Sequence, residues 1–262
     1  MSEREKLVNH IPPGEYREVV QAVIDKALRV SQTQQPAWTY FYELGVIRLA
    51  VPIISQVPNI RVEISGGQEK AERARLAILP DWLKNKEFDQ RISYLKIEPG
   101  KQMKVLTHRD YLGALLGLGI KREKIGDLII TPNCCQVIMD ADLAQYVKLN
   151  LAKVGNNQVT VSEIDKPGLD IPSESIAEVI TSVASLRLDA VLAAGFNFSR
   201  EKAAQYIKGE KVKLNWLSVI GVAKQVKEGD LISCRGIGRI KIAQVLGETK
   251  KGRQKVIFHK FS

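Results

Sequence analysis

The order in which hydrophobic periods follow one another between residues 91 and 164 restricts the fold more than any other feature of this chain. "RISYLKIEP" (91–99) alternates as a strand does, and "THRDYLGALLGLGI" (107–120) carries helical spacing. "IGDLIITP" (125–132) and "CCQVIMD" (134–140) are two short apolar strands joined at Pro132-Asn133. "ADLAQYVKLNLAKV" (141–154) is helical again, and "NQVTVSEI" (157–164) alternates. The order βαββαβ is the split-βαβ, ferredoxin-like arrangement.

The RNA-recognition motif shares this topology, although topology alone assigns no function. That motif stacks bases on aromatic side chains of its third strand. Here the third strand, "CCQVIMD", carries none. RNA contact through this domain stays open, but not by the usual stacking.

The flanks complete an α+β chain of three parts. Residues 1–85 read as an N-terminal helix-rich α/β domain. A helix is expected over 15–31, with Val19, Val20, Val23, Ile24 and Ala27 on one stripe. "AWTYFYELGVIRLAVPII" (37–54) reads as a second helix stopping near Pro52, "IRVEIS" (60–65) as a strand, and "EKAERARLAIL" (69–79) as a helix ending before Pro80. The ferredoxin-like domain occupies 86–172, and "DKPGLDIPSES" (165–175) reads as a linker. Residues 173–262 form a third domain: helices, then lysine-rich strands, then a basic tail, "ETKKGRQKVIFHKFS".

Charge points to the third part. The chain has 262 residues and a net charge of +10, but residues 173–262 hold 16 Lys and Arg against 8 Asp and Glu. Such asymmetry favours an anionic partner, nucleic acid before membrane. The three cysteines, Cys134, Cys135 and Cys234, have neither CxxC spacing nor an even count, which fits a reducing compartment without a disulfide scaffold or zinc module. "MSEREKLVNH" is unlike a targeting peptide, and no apolar run approaches the roughly 18 residues of a membrane span. A cytoplasmic location is expected.

"SREKAAQYIKGEKVKLNW" (199–216) shows where an anion would sit. Ser199 caps a helix whose Ala203, Ala204 and Ile207 face inward, and Gly209 stands where a left-handed terminal residue is wanted. Val212 and Leu214 then alternate with Lys211, Lys213 and Asn215. With "SLRLDAVLAAG" as a second helix, Arg187, Arg200, Lys208, Lys211 and Lys213 are expected on one rim, and Asn215 is expected to donate to a sugar or base edge. Gly236 and Gly238 are expected to bend the chain so that Arg235, Arg239 and Lys241 join it.

Arg187-Leu188-Asp189, Ser199-Arg200, Ala203, Gly209, Val212 to Asn215 and Gly229-Asp230 together resemble the S-four RNA-binding domain, over roughly residues 184–245. Asn215-Trp216 departs from the Asn-Gly of many members. With "RGIGRIKI", "TKKGR", "LTHRDYLGALLGLGIKREKIGDLII" and "SGGQEKAERARLAILPD" it is similar to the YlmH family along nearly the whole chain, including a photosystem II S-four-domain branch of photosynthetic lineages. The resemblance implies a ribosome-associated RNA binder acting on large subunits blocked by an unreleased peptidyl-tRNA.

Other constellations fit less well. "HRDYLGALL" lacks the asparagine that a kinase loop needs where Leu115 stands. Thr107 and Asp110 read instead as a helix cap. Arg109, Lys121, Arg122 and Lys124 are candidates for a secondary RNA-binding patch. "GIGRIK" lacks the third glycine of a dinucleotide loop. Asp189 lacks the neighbours of a pseudouridine synthase aspartate and reads as an acid that orients a nearby cation. His10, His108 and His259 group with no metal or triad partners. The expectation is a non-catalytic, monomeric protein without cofactor or metal. It binds structured rRNA or tRNA on the large ribosomal subunit through Arg187, Arg200, Lys202, Lys208, Lys211, Lys213, Asn215, Arg235, Arg239 and Lys241. An RNA-modifying enzyme and an assembly factor for a photosynthetic membrane complex are the alternatives.

Overall fold

A computed structural model describes residues 11, 15–83, 89–100, 105–171, 175–249 and 252–261. The boundary expected at 85/86, and Lys250 and Lys251 of the basic tail, lie outside these residues. The chain forms two compact units, Met1–Pro172 and Ser173–Ser262.

The first unit begins with α1 (Glu15–Thr33), which buries Val20, Val23, Ile24, Ala27 and Val30 at helical spacing. Two expected helices are not formed as read. Residues 37–43 give the short strands β1 (Ala37–Trp38) and β2 (Tyr42–Glu43), and only then does α2 (Leu44–Ile54) begin. Pro52 lies inside the last turn of α2 rather than ending it. β3 (Ile60–Ser65) follows. The segment read as a helix at 69–79 is instead β4 (Arg73–Pro80), paired with β3, β1 and β2. Its Ala, Leu and Arg favour helix in isolation. All its residues but Arg73 are buried, and a strand with neighbours on both edges and cover on both faces reads as a continuous apolar run without period. Tertiary context therefore overrides local preference.

β5 (Ile92–Pro99), α3 (His108–Gly117), β6 (Ile125–Ile130), β7 (Cys135–Asp140), α4 (Ala141–Asn150), β8 (Lys153–Val154) and β9 (Asn157–Ile164) follow in the expected order. The sheet order β6-β7-β5-β9-β8 is the ferredoxin-like order with one short added edge strand. One sheet face, with Leu95, Ile97, Cys135, Val137 and Met139, packs on α3 and α4. The other face carries Tyr94, Ile129 and Ile138, and Phe41 of the N-terminal segment covers it. Gly126 permits that approach, since a Cβ there would sit 3.0 Å from the Phe41 ring. Further along the same face the Gln136 side chain accepts from Asp170 N at 2.9 Å. Asp127 fixes the junction by accepting from Glu72 N at 2.9 Å, Arg73 N at 3.1 Å and Gln68 Nε2 at 2.9 Å.

The second unit opens on β10 (Ile176–Val183), a strand the sequence reading did not contain. α5 (Leu188–Phe196), α6 (Arg200–Lys208), β11 (Val212–Leu214), β12 (Leu217–Ser218), β13 (Leu231–Cys234), β14 (Gly238–Glu248) and β15 (Gln254–Phe261) complete it. The basic tail is not a tail. β15 lies between β10 and β14 with Val256 and Phe258 fully buried. Both helices pack on one face of the sheet, where Val212, Leu214, Ile232, Ile240 and Ile242 meet Leu188, Val191, Leu192, Ala203 and Ile207.

Candidate nucleic-acid interface

Two turns place the cations of α5 and α6. The Ser199 hydroxyl accepts from Lys202 N at 3.1 Å and starts α6. The helix ends in a Schellman arrangement, with Lys211 N donating to Tyr206 O at 3.0 Å and Glu210 N to Ile207 O at 3.1 Å. The left-handed residue there is Glu210, at φ 54°, and not Gly209, at φ −82°.

Asp189, in the first turn of α5, is the hub. Its carboxylate accepts from Arg187 Nε and Nη2, each at 3.2 Å, from Arg200 Nη2 at 2.6 Å and from Ala190 N at 2.9 Å. Burial by itself would raise its pKa, but the Arg187 and Arg200 hydrogen bonds hold it below the usual carboxylate range. The Asp189 side chain is only 7% exposed, against 41% for Arg187 and 47% for Arg200. Each guanidinium is thus anchored on one edge and open on the rest. A planar fork held this way can accept a second oxyanion at little further ordering cost.

A ladder of rings and amines continues along α6. Lys202 Nζ lies 4.4 Å from the Phe198 ring centroid, Phe198 and Tyr206 are 5.3 Å apart, and Lys211 Nζ is 5.2 Å from Tyr206. Arg235 N donates to Lys211 O at 2.8 Å, which sets Arg235 beside Lys211. Lys208 is exposed in the last turn of α6.

Other expected members lie elsewhere. Because Val212, Leu214, Ile240 and Ile242 face the helices, Lys213, Arg239 and Lys241 point from the opposite face of the sheet. Lys213, Ser233, Arg239 and Phe261 fall in one cross-strand row there, with Arg239 5.7 Å from the Phe261 ring. The ten residues therefore do not share one rim. Asn215 is a turn former: with Trp216 it links β11 to β12, both at positive φ (51° and 68°), as a two-residue hairpin of the primed kind requires. Its Nδ2 donates to Asp230 at 2.9 Å and its Oδ1 accepts from Leu231 N at 3.0 Å, so the amide braces the turn.

In the first unit, Arg109 and Lys121 are exposed. Arg122 donates to Ile125 O at 2.6 Å and Gly126 O at 3.2 Å, and burial, with Arg73 nearby, brings its pKa down to about 10. Lys124 donates to Asp140 at 2.8 Å. The expected secondary patch therefore has two open cations, not four.

Family models match over residues 15–82 ("YlmH, N-terminal"), 84–167 ("Putative RNA-binding domain in YlmH") and 186–232 ("S4 domain"). The chain is 32% identical over 248 residues to "Ribosome-associated protein quality control protein P2" of Bacillus subtilis (strain 168), covering 94% of this chain and 96% of that one. The chain belongs to the YlmH family. A solved structure described as "Cell division protein ylmH from Streptococcus pneumoniae" covers 61% of this chain and 97% of its own, with TM-score 0.51 and 22% identity. That likeness speaks for the fold alone. The S-four module of the sequence reading is thus the S4 domain of a YlmH-family chain.

The S4 module also holds two cations that sequence reasoning passed over. Arg187 bridges to Gln225, Leu188 N donates to Lys224 O and Val226 N to Leu186 O, both at 2.8 Å. Exposed Lys224 and Lys227 therefore flank Arg187 and line a cleft of about 370 Å³ together with Asp230. Their signal was the run "KQVKEGD", read only for its Gly-Asp.

Proposed function

We propose that this chain is a non-catalytic, monomeric, cytoplasmic protein that binds folded rRNA and tRNA on the large ribosomal subunit, in the quality control of blocked nascent chains. Family membership and the ribosome-associated quality control named for the Bacillus relative support the setting. The observation that carries the reading is the pair of half-exposed guanidiniums, Arg187 and Arg200, locked on buried Asp189. Lys202, Lys208, Lys211, Arg235, Lys224 and Lys227 extend the contact on the helical side.

The test is co-sedimentation with large subunits carrying peptidyl-tRNA. Arg200→Ala removes roughly one charge-assisted contact, about 1.5–3 kcal/mol, so affinity should fall ten- to hundredfold in a variant that still folds; its thermal midpoint should drop modestly, because Asp189 loses Arg200 but keeps Arg187. Equal co-sedimentation of variant and wild type, with the variant folded, would sink the proposal.

A further inference from the structure

The first unit contains a cleft of about 640 Å³ between α1, the β1–β2 segment and the sheet of the ferredoxin-like domain. That volume falls within the roughly 300–1,000 Å³ of small-molecule sites. Its chemistry is unbalanced. Arg75 (3.3 Å) and Lys124 (2.8 Å) share the one carboxylate of Asp140. Lys26 and Arg29, one turn apart on α1, also line the cleft beside Asp25, and among the described residues no hydrogen bond or ion pair engages the ammonium of Lys26 or the guanidinium of Arg29. Burial, then Arg29, Arg75 and Lys124, lower the Lys26 pKa, as expected for an ammonium crowded by like charge without a counter-ion.

The walls are flat as well as basic. The Arg91 guanidinium lies 4.6 Å from the Trp38 ring centroid, and Lys124 Nζ 5.2 Å from that of Tyr40, whose side chain is exposed. Rings and layered guanidinium planes are the surfaces on which nucleobases stack. Trp38 Nε1 is buried in this wall and, among the described residues, has no acceptor. Asp142, exposed and only loosely held by Arg91 at 3.9 Å, offers an acceptor for amino or hydroxyl groups. An anion alone would use the cations and leave the rings idle.

We propose that this cleft is a nucleotide site, with the phosphate held by Lys26 and Arg29 and the base laid against Tyr40 and the Arg91 plane. The occupant is a single nucleotide, either free or displaced from an RNA strand. The site stands apart from the S4 reading, and either can fail without the other.

The test is calorimetric titration of the full chain with the four nucleoside monophosphates, a single-stranded pentaribonucleotide and inorganic phosphate. Saturable 1:1 binding of a monophosphate marks a free nucleotide as the ligand. Saturable binding of the pentamer alone marks a nucleotide within RNA. In either case Lys26→Ala/Arg29→Ala should weaken binding at least tenfold, and Arg200→Ala should leave it unchanged. Trp38→Phe keeps a ring but removes the donor, and should weaken binding severalfold in a chain that still folds. The idea is overturned if no nucleotide or pentamer binds saturably, if phosphate binds as well as they do, if the α1 variant binds as wild type does, or if Arg200→Ala abolishes binding.

Discussion

At the scale of single residues, Asp189 carries the most consequence. Its folded pKa is depressed, so its ionised form stabilises the native state at pH values above the unfolded value of about 3.9. That contribution is lost as pH falls toward and through the lower folded value. Asp189→Asn cannot show this loss. Wild type should exceed Asp189→Asn in unfolding free energy from pH 5 to 7, and the gap should narrow below about pH 4. Denaturant titrations across pH 3–7 measure it, and a gap independent of pH would refute the linkage. The same variant should weaken RNA binding although it adds no negative charge, because Arg187 and Arg200 lose their common anchor. Legibility at this scale was uneven. The Arg-Leu-Asp and Ser-Arg pairs, the Ser199 cap and the acid beside the cations stand plainly in the sequence. That Asn215 binds Asp230, or that Arg122 binds the carbonyls of Ile125 and Gly126, depends on chain reversals that no spacing encodes.

At the scale of elements, period decided what could be read. α1, α3, α4, β5 and β9 carry 3.6 or 2 repeats, β6 and β7 are short apolar runs set off by Pro132-Asn133, and the structure follows both signals. β4 has no repeat, because neighbours cover both its faces, and so "RARLAIL" looked helical. The alternation of "KVKLN" was visible, but not the fact that the helices claim the Val212 face, which turns Lys213 away from α6. Position in the S4 module then makes a prediction. Lys211, beside Tyr206 on the helical side, should contact phosphate if the helical side binds RNA, and Lys241, on the outer sheet face, should not. Each phosphate contact contributes about 0.7–0.9 to the slope of log K against log salt. Lys211→Ala should lower that slope by about one such step and Lys241→Ala should leave it unchanged, measured by filter binding from 50 to 300 mM salt. The reverse pattern would move the interface to the outer sheet.

At the scale of the whole molecule, what matters is which surfaces are closed. The sheet face that an RNA-recognition motif keeps open is here covered by Phe41, and this accounts for a third strand without aromatics: "CCQVIMD" is buried throughout. The sequence showed the missing rings but not their cause, since the cover comes from a segment some 95 residues upstream that reads on its own as helix. Each unit closes its own core. The S4 unit does so tightly at Gly195, where a Cβ would stand 2.3 Å from Ile240 Cδ1. Gly195→Ala must turn the Ile240 Cδ1 aside, an overpacking cost of about 1–3 kcal/mol that the roughly 1 kcal/mol helix preference of Ala over Gly partly offsets, leaving a net loss of up to about 2 kcal/mol, or up to roughly 10 °C in Tm for a unit of 90 residues. Tryptophan positions allow the two units to be followed separately, because Trp216 lies in the second and Trp38 and Trp82 in the first. With Trp38 and Trp82 changed to Phe, fluorescence should show the Gly195→Ala midpoint lowered by that amount. With Trp216→Phe instead, the remaining tryptophans should report an unshifted midpoint. Equal shifts from both reporters would mean that the two cores melt as one.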